Sequence, residues 1–280
     1  MKLLEGKVIA AQMREDMAKD LEKLTTAGVV PGLRVILIGE DPAAASYVRM
    51  VERRCVKDGL DSQVLYFKEN ISEDVLIYEI EKLNADDKVH GILVQMPLPK
   101  HIDKNKVIAT IDPNKDVDGF HELNSGKLYI GADALYPCTP YGVIHMLEYG
   151  GIKIEGKHAV VIGRSNVVGK PVSMLLLERN ATVTICHSRT SNISELTKQA
   201  DILVAAAGRP HMVTADMVKE GAVVIDVGIH EVDGKITGDV DFDSVKEKAG
   251  YLSPVPGGVG TTTIATLSWN TMKAALDSLM

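Results

Sequence analysis

No window of this chain reaches about 18 uninterrupted apolar residues, and Met1-Lys2-Leu3-Leu4-Glu5-Gly6-Lys7 has neither a long apolar core nor a cleavage-like site. Neither a membrane span nor a signal peptide is expected, and the chain reads as cytoplasmic. Polybasic tracts are missing too: the 31 Lys and Arg residues are dispersed and the net charge is −7. That balance argues against nucleic acid or an anionic membrane as partner and leaves a small molecule. Cysteine is scarce. Cys55, Cys138 and Cys186 are odd in number, far apart and in no C-x-x-C spacing, so a disulfide framework, a zinc site and thiol exchange are not expected, and no metal is assigned. Cys186 ends an expected strand and reads as packed rather than reactive.

What is present is enough apolar material for a large core. At 280 residues and 45% hydrophobic composition, the length falls between one large domain and two ordinary ones, and two domains with a cleft is the expected organisation. Two α/β series follow one another, which points to parallel sheets. The first has a helical stretch near Ala10–Leu24, a strand at Arg34–Ile38, a helix over 43–58, a strand at Gln63–Phe67, a helix at Ser72–Leu83 and a strand at Gly91–Gln95. The second has strands from Ala159, at Thr182–Cys186, Ile202–Ala205 and Val223–Val227, each preceded by a helix-compatible segment. Between them, Asp112–Pro140 reads as loop. The tail, Ile264–Leu279, reads as a helix able to return to the first domain.

Ala159-Val160-Val161-Ile162-Gly163-Arg164-Ser165-Asn166-Val167-Val168-Gly169-Lys170-Pro171 reads as a buried strand turning through glycines into a helix. Glycine permits a tight turn and close ligand approach, and the free N–H groups of a helix start favour phosphate. The fingerprint is irregular: Ser165 stands where the second glycine usually does, and Gly169 falls one residue late. In an NAD site an acid about 20 residues past the turn accepts the ribose hydroxyls. Here the second strand ends Cys186-His187-Ser188-Arg189. With no acid to repel a 2′-phosphate, and with Ser188, Arg189 and Arg164 available as donors, NADP is expected over NAD.

Further segments are Tyr47-Val48, Gly91-Ile92-Leu93-Val94-Gln95-Met96-Pro97-Leu98-Pro99, Lys115-Asp116-Val117-Asp118-Gly119-Phe120, Pro137-Cys138-Thr139-Pro140 and Pro254-Val255-Pro256-Gly257-Gly258-Val259-Gly260. Together with the glycine turn, in this order and at these separations, they resemble the methylenetetrahydrofolate dehydrogenase/cyclohydrolase family. The resemblance implies an α/β folate-binding catalytic domain over 1–140 with the C-terminal helix 264–280, a Rossmann-type NADP-binding domain over 141–263, a cleft between them, and a homodimer. It implies that Tyr47 stacks near the pterin and p-aminobenzoate, that Gln95 lies at the reacting centre, and that Asp118 bonds the pterin edge. Pro256, Gly257 and Gly258 would line the folate side. Gly163, Arg164 and Ser165 would meet the phosphates, Ser188 and Arg189 the 2′-phosphate, and Ile229 and Thr263 the nicotinamide.

The residues themselves support part of this. Gln95 is a polar side chain at the carboxyl end of an expected parallel strand, where open α/β sheets bind ligands. Asp116 and Asp118 share one loop, so one of them can be a turn carboxylate only. Periodicity alone would make Tyr47 a core residue.

One departure stands out. Family members usually carry a lysine four residues after this tyrosine, one helical turn along the same face; here that residue is Val51. Arg54 shares the face but lies seven residues on, about 10 Å along the axis. Hydride removal from 5,10-methylenetetrahydrofolate needs positioning rather than a protein base, because the substrate's own nitrogens stabilise the cation. Hydrolysis of the methenyl product needs a proton carrier, typically worth ~10²–10⁴-fold. Dehydrogenase activity is therefore expected to persist and cyclohydrolase activity to be weak or absent. A smaller departure, Thr261 and Thr262 where the family often has proline and methionine, predicts altered local packing only.

Overall fold

A computed structural model describes residues 1–280. In chain order the elements are β1 (Lys2–Leu3), α1 (Gly6–Thr26), β2 (Gly32–Ile38), α2 (Pro42–Lys57), β3 (Asp61–Phe67), α3 (Glu73–Asn84), β4 (Gly91–Val94), α4 (Lys104–Thr110), α5 (Glu122–Tyr129) and α6 (Cys138–Tyr149). There follow β5 (His158–Ile162), α7 (Gly169–Glu178), β6 (Thr182–Cys186), α8 (Ile193–Thr197), β7 (Ile202–Ala205), β8 (Val223–Asp226), β9 (His230–Val232), β10 (Lys235–Thr237), α9 (Phe242–Val245), β11 (Tyr251–Leu252) and α10 (Val259–Asp277). No helix is long and apolar enough to cross a membrane.

The chain forms two compact units, one of Arg14–Cys138 with Ile264–Met280, the other of Met1–Met13 with Thr139–Thr263. The first holds a three-stranded parallel sheet in the order β3-β2-β4. All seven residues of β2 are buried, as a central parallel strand covered on both faces requires. Its alternation divides the core: Leu33, Val35 and Leu37 pack with Val48, Val51 and Cys55 of α2 and with Leu267 and Met272 of α10. Ile36 and Ile38 pack on the opposite face with Leu76 and Ile80 of α3. Asp41 caps α2 by accepting from the Ala44 N–H, and Pro42 occupies the first helical turn, where its missing N–H costs nothing.

The second unit holds a six-stranded parallel sheet, β1-β11-β8-β7-β5-β6. From β5 the chain moves to β6 on one side and to β7 on the other. The carboxyl end of β5 is thus the topological switch point where open α/β sheets take ligands.

The structure corrects four expectations. Residues 1–13 do not group with 14–138, because β1 pairs in parallel with β11 and joins the six-stranded sheet. The segment read as loop from Asp112 to Pro140 contains α5, capped by the His121 side chain accepting from the Leu123 N–H, and the start of α6. The tail helix begins at Val259, five residues early, and the Thr262 and Thr263 hydroxyls donate to the Val259 carbonyl in its first turn. Only a single 3-10 turn, Ala215–Met217, precedes β8 where a helix was expected.

Candidate active site

In the three-stranded unit the carboxyl edge of the sheet collects the expected catalytic side chains. Gln95 directly follows β4; its backbone N–H donates to Ile36 O (2.9 Å) and its Nε2 to Met96 O (2.7 Å). Asp116 pairs in parallel with Ile92 of β4, so residues 115–117 run beside that strand and deliver Asp118 to the same edge.

The two aspartates now separate. Asp116 is buried and accepts from the His121 N–H (2.8 Å) and Asn124 Nδ2 (3.0 Å), which makes it the turn carboxylate. Asp118 is half-buried and no donor of the protein reaches it; burial first, then the charge of Asp116, raise its carboxyl to about 7. Gly119 follows at φ +72°, and a Cβ there would overlap the backbone of Tyr136 and Pro137. Val117 is pinned through its carbonyl, which accepts from Asn270 Nδ2 (2.9 Å) and Cys138 Sγ (3.1 Å). Tyr47 is partly buried against the core of α2, and its phenol is raised by burial and by the nearby Asp118. Tyr47 and Asp118 are therefore brought together.

Val51, one turn after Tyr47, is fully buried among apolar neighbours. The polar groups further along α2 are engaged with one another. Asp58 is buried and accepts from Arg14 Nε (2.7 Å) and the Ser268 hydroxyl (2.9 Å). Arg54 Nε lies 3.6 Å from the same carboxylate. Burial pushes the Cys55 thiol up to about 12, with Ser268 Oγ at 3.5 Å. All three cysteines are buried and unbridged.

In the six-stranded unit, β5 ends at Ile162 and Gly163 adopts φ +130°, a conformation that disfavours any residue with a Cβ. A Cβ on Gly163 would strike the Ala206 carbonyl, and one on Gly169 would strike the Gly163 carbonyl. Gly169 therefore lets α7 start against the strand end, which explains its late position in the fingerprint. Arg164, Ser165, Asn166 and Val167 are exposed. Ser165 has a task the sequence did not reveal: its Oγ accepts from the N–H groups of Val168 (3.1 Å) and Gly169 (3.4 Å), tying the turn that leads into α7. A hydroxyl that accepts in this way still has its own proton to donate outward. Ser188 and Arg189 are exposed just beyond β6, with no acid at that strand end. Ile229 is 65% exposed beside Gly260. The Thr263 hydroxyl bonds Val259 O (3.0 Å) and lies 3.2 Å from that of Thr139. Pro256 and Gly257 are exposed and Gly258 is buried; all three belong to this unit rather than to that of Tyr47, Gln95 and Asp118. The bare glycine turn at a switch point, the start of a ten-residue helix and the donors beyond β6 together fit a phosphorylated dinucleotide.

The comparisons with known proteins cover both units. Residues 4–118 match the tetrahydrofolate dehydrogenase/cyclohydrolase catalytic domain, and residues 137–279 match the NAD(P)-binding domain of the same family. The chain is 55% identical over 273 residues to the bifunctional protein FolD of an Exiguobacterium species, covering 98% of each. It resembles the crystal structure of the bifunctional FolD enzyme of Campylobacter jejuni with a TM-score of 0.96, 46% identity and 99% of each chain covered. It also resembles the Trypanosoma brucei enzyme complexed with NADP cofactor and inhibitor, with a TM-score of 0.91, 35% identity, and 98% of this chain and 97% of that one covered.

Proposed function

The chain belongs to the tetrahydrofolate dehydrogenase/cyclohydrolase family, and from that premise we propose that it oxidises 5,10-methylenetetrahydrofolate with NADP and hydrolyses the methenyl product weakly or not at all. The observation that carries the second half is Val51, a fully buried apolar side chain one turn from Tyr47.

When bound, NADP supplies the hydride acceptor. The chain's own residues bind and orient. Gly163, Arg164 and Ser165 hold the phosphates, Ser188 and Arg189 the 2′-phosphate, and Ile229 and Thr263 flank the nicotinamide. Tyr47 stacks on the folate, Gln95 faces the one-carbon bridge, Asp118 accepts from the pterin edge, and Pro256, Gly257 and Gly258 line the folate site. Oxidation asks nothing more of the protein, because the two substrate nitrogens carry the developing charge. Hydrolysis asks for a group that moves a proton, and valine neither accepts nor donates one. Arg54 is no replacement: it pairs with Asp58 a turn further on, and a guanidinium does not release its proton at working pH.

The rival reading, that both steps are catalysed, draws on relatives named bifunctional. A paired assay on purified protein separates the two. NADP reduction dependent on methylenetetrahydrofolate is expected, with methenyl hydrolysis at the spontaneous rate and a higher kcat/KM for NADP than for NAD. Robust hydrolysis by the wild type would overturn the monofunctional reading, and equal use of the two dinucleotides would overturn the NADP assignment.

A further inference from the structure

Two buried carboxylates hold the loops that follow β7 and β8. Asp239 is fully buried and accepts four hydrogen bonds: Oδ2 from the N–H groups of Ala207 (2.6 Å) and Gly208 (3.0 Å), Oδ1 from the Arg209 N–H (2.9 Å) and His230 Nε2 (2.7 Å). Its own N–H donates to Asp226 Oδ1 (2.9 Å). Asp226 Oδ1 also accepts from the Gly228 N–H (3.0 Å), and Oδ2 from the Val240 N–H (3.0 Å). A Cβ on Gly228 would overlap Asp239, and one on Gly238 would overlap Asp226, so both glycines admit the clasp.

These loops border the dinucleotide turn. Ala206 O lies against Gly163, the position at which a side chain would collide. Ile229, between the two loop residues bonded by the clasp, projects toward Gly260. Four donors converging on one side chain are matched only by an ionised carboxylate, because an amide has one acceptor oxygen and would turn its own N–H₂ toward N–H groups.

We propose that Asp239 is a positioning residue for the dinucleotide: with His230 it locks loops 206–209 and 227–230 into the shape that receives the cofactor, before the cofactor arrives. This rests on the NADP reading above. Asp239 touches neither substrate nor cofactor; its effect passes through the loop backbones.

The test uses the full chain and four proteins: wild type, Asp239→Asn, His230→Leu and His230→Gln. Binding of NADPH is measured by calorimetry, KM for NADP and for methylenetetrahydrofolate by initial rates, and folding by thermal melting. Loss of charge-assisted hydrogen bonds from Asp239→Asn is expected to raise KM for NADP and the NADPH dissociation constant by about tenfold or more, leaving KM for the folate unchanged. His230→Leu is expected to give a smaller rise of the same kind, and His230→Gln, whose Nε2 still donates to Asp239, to restore near wild-type values. If Asp239→Asn does not fold, the His230 pair decides alone. Unchanged NADP parameters, equal rises for both substrates, or no difference between His230→Leu and His230→Gln would overturn the proposal while leaving the NADP reading intact. Failure of the wild type to bind NADPH would instead overturn the NADP reading and this inference with it.

Discussion

The two units build their candidate sites from different materials. The six-stranded unit offers backbone: a glycine turn, the start of α7, and loops drawn tight by Asp226 and Asp239. The three-stranded unit offers single side chains, Tyr47, Gln95 and Asp118, on rigid strand ends and one helix face. A site made of backbone resists most point changes, whereas a site made of side chains can lose one activity through one substitution. Val51 lies in the unit built of side chains, and the glycine turn lies in the other.

The same contrast appears among the acids. Asp226 and Asp239 both spend their oxygens on N–H groups of the fold, as Asp116 does in the other unit. Asp118, two residues from Asp116, has no such partner. A carboxylate filled by backbone donors is part of the scaffold, and an unfilled one at a strand end is available to a ligand.

The sharpest way to break this comparison is Val51→Lys. Hydrolysis of methenyltetrahydrofolate is expected to rise by ~10²–10⁴-fold, with dehydrogenase kcat within a few-fold of wild type. A stopped assay with the spontaneous rate subtracted reads it, and no gain would mean that position 51 does not control the second step.

Next in size is the contrast between scaffold acid and site acid. Asp116→Ala should lose about 2–3 kcal/mol of stability by urea unfolding, since it strands the buried His121 N–H and leaves the Asn124 amide with Pro113 O alone. Asp118→Asn should leave stability at pH 7 no lower than wild type while weakening folate binding. Equal destabilisation by both would erase the distinction.

Asp118 also predicts a pH dependence. Its carboxyl is raised to about 7 in the folded protein, above the ordinary aspartate value of about 4. The native state therefore holds this proton more tightly than the unfolded chain does. The associated stability is fully present below about pH 4 and is lost as pH rises through about 7. Over the same upper range the ionised form becomes able to accept from the pterin, so KM for the folate should fall as pH rises through about 7. Asp118→Asn should flatten both profiles; an unchanged KM profile would remove Asp118 from folate binding.

The smallest effect tests the backbone site. Ser165→Ala should cost about 1 kcal/mol through the lost hydrogen bonds in the turn before α7, read by thermal melting. KM for NADP should rise only a few-fold, because the glycine turn remains. A loss of NADP binding beyond a hundredfold would mean that the side chain, not the backbone, carries this site.

Much of the architecture was legible from local pattern. The α/β alternation and strands β2 through β8 follow from apolar runs and glycine punctuation. What escaped is nonlocal or short. β1 is two residues long and exists only because β11 lies beside it. α5 has weak amphipathic character and depends on a histidine cap. The clasp joins Asp239 to backbone groups some 30 positions earlier, and no spacing rule connects them.

By itself, the sequence determined which chemistry was possible. It put glycines where the chain turns from β5 into α7, left no acid at the end of β6, and placed an apolar Val51 one turn after Tyr47. Those are properties of residue type, and folding does not alter them. Only the tertiary structure decided which of two neighbouring aspartates lies beside β4, that Asp58 is taken by Arg14 and Ser268, and that Asp239 clasps the loop after β7. Those are properties of partnership, and partners distant in sequence meet only when strands and helices pack.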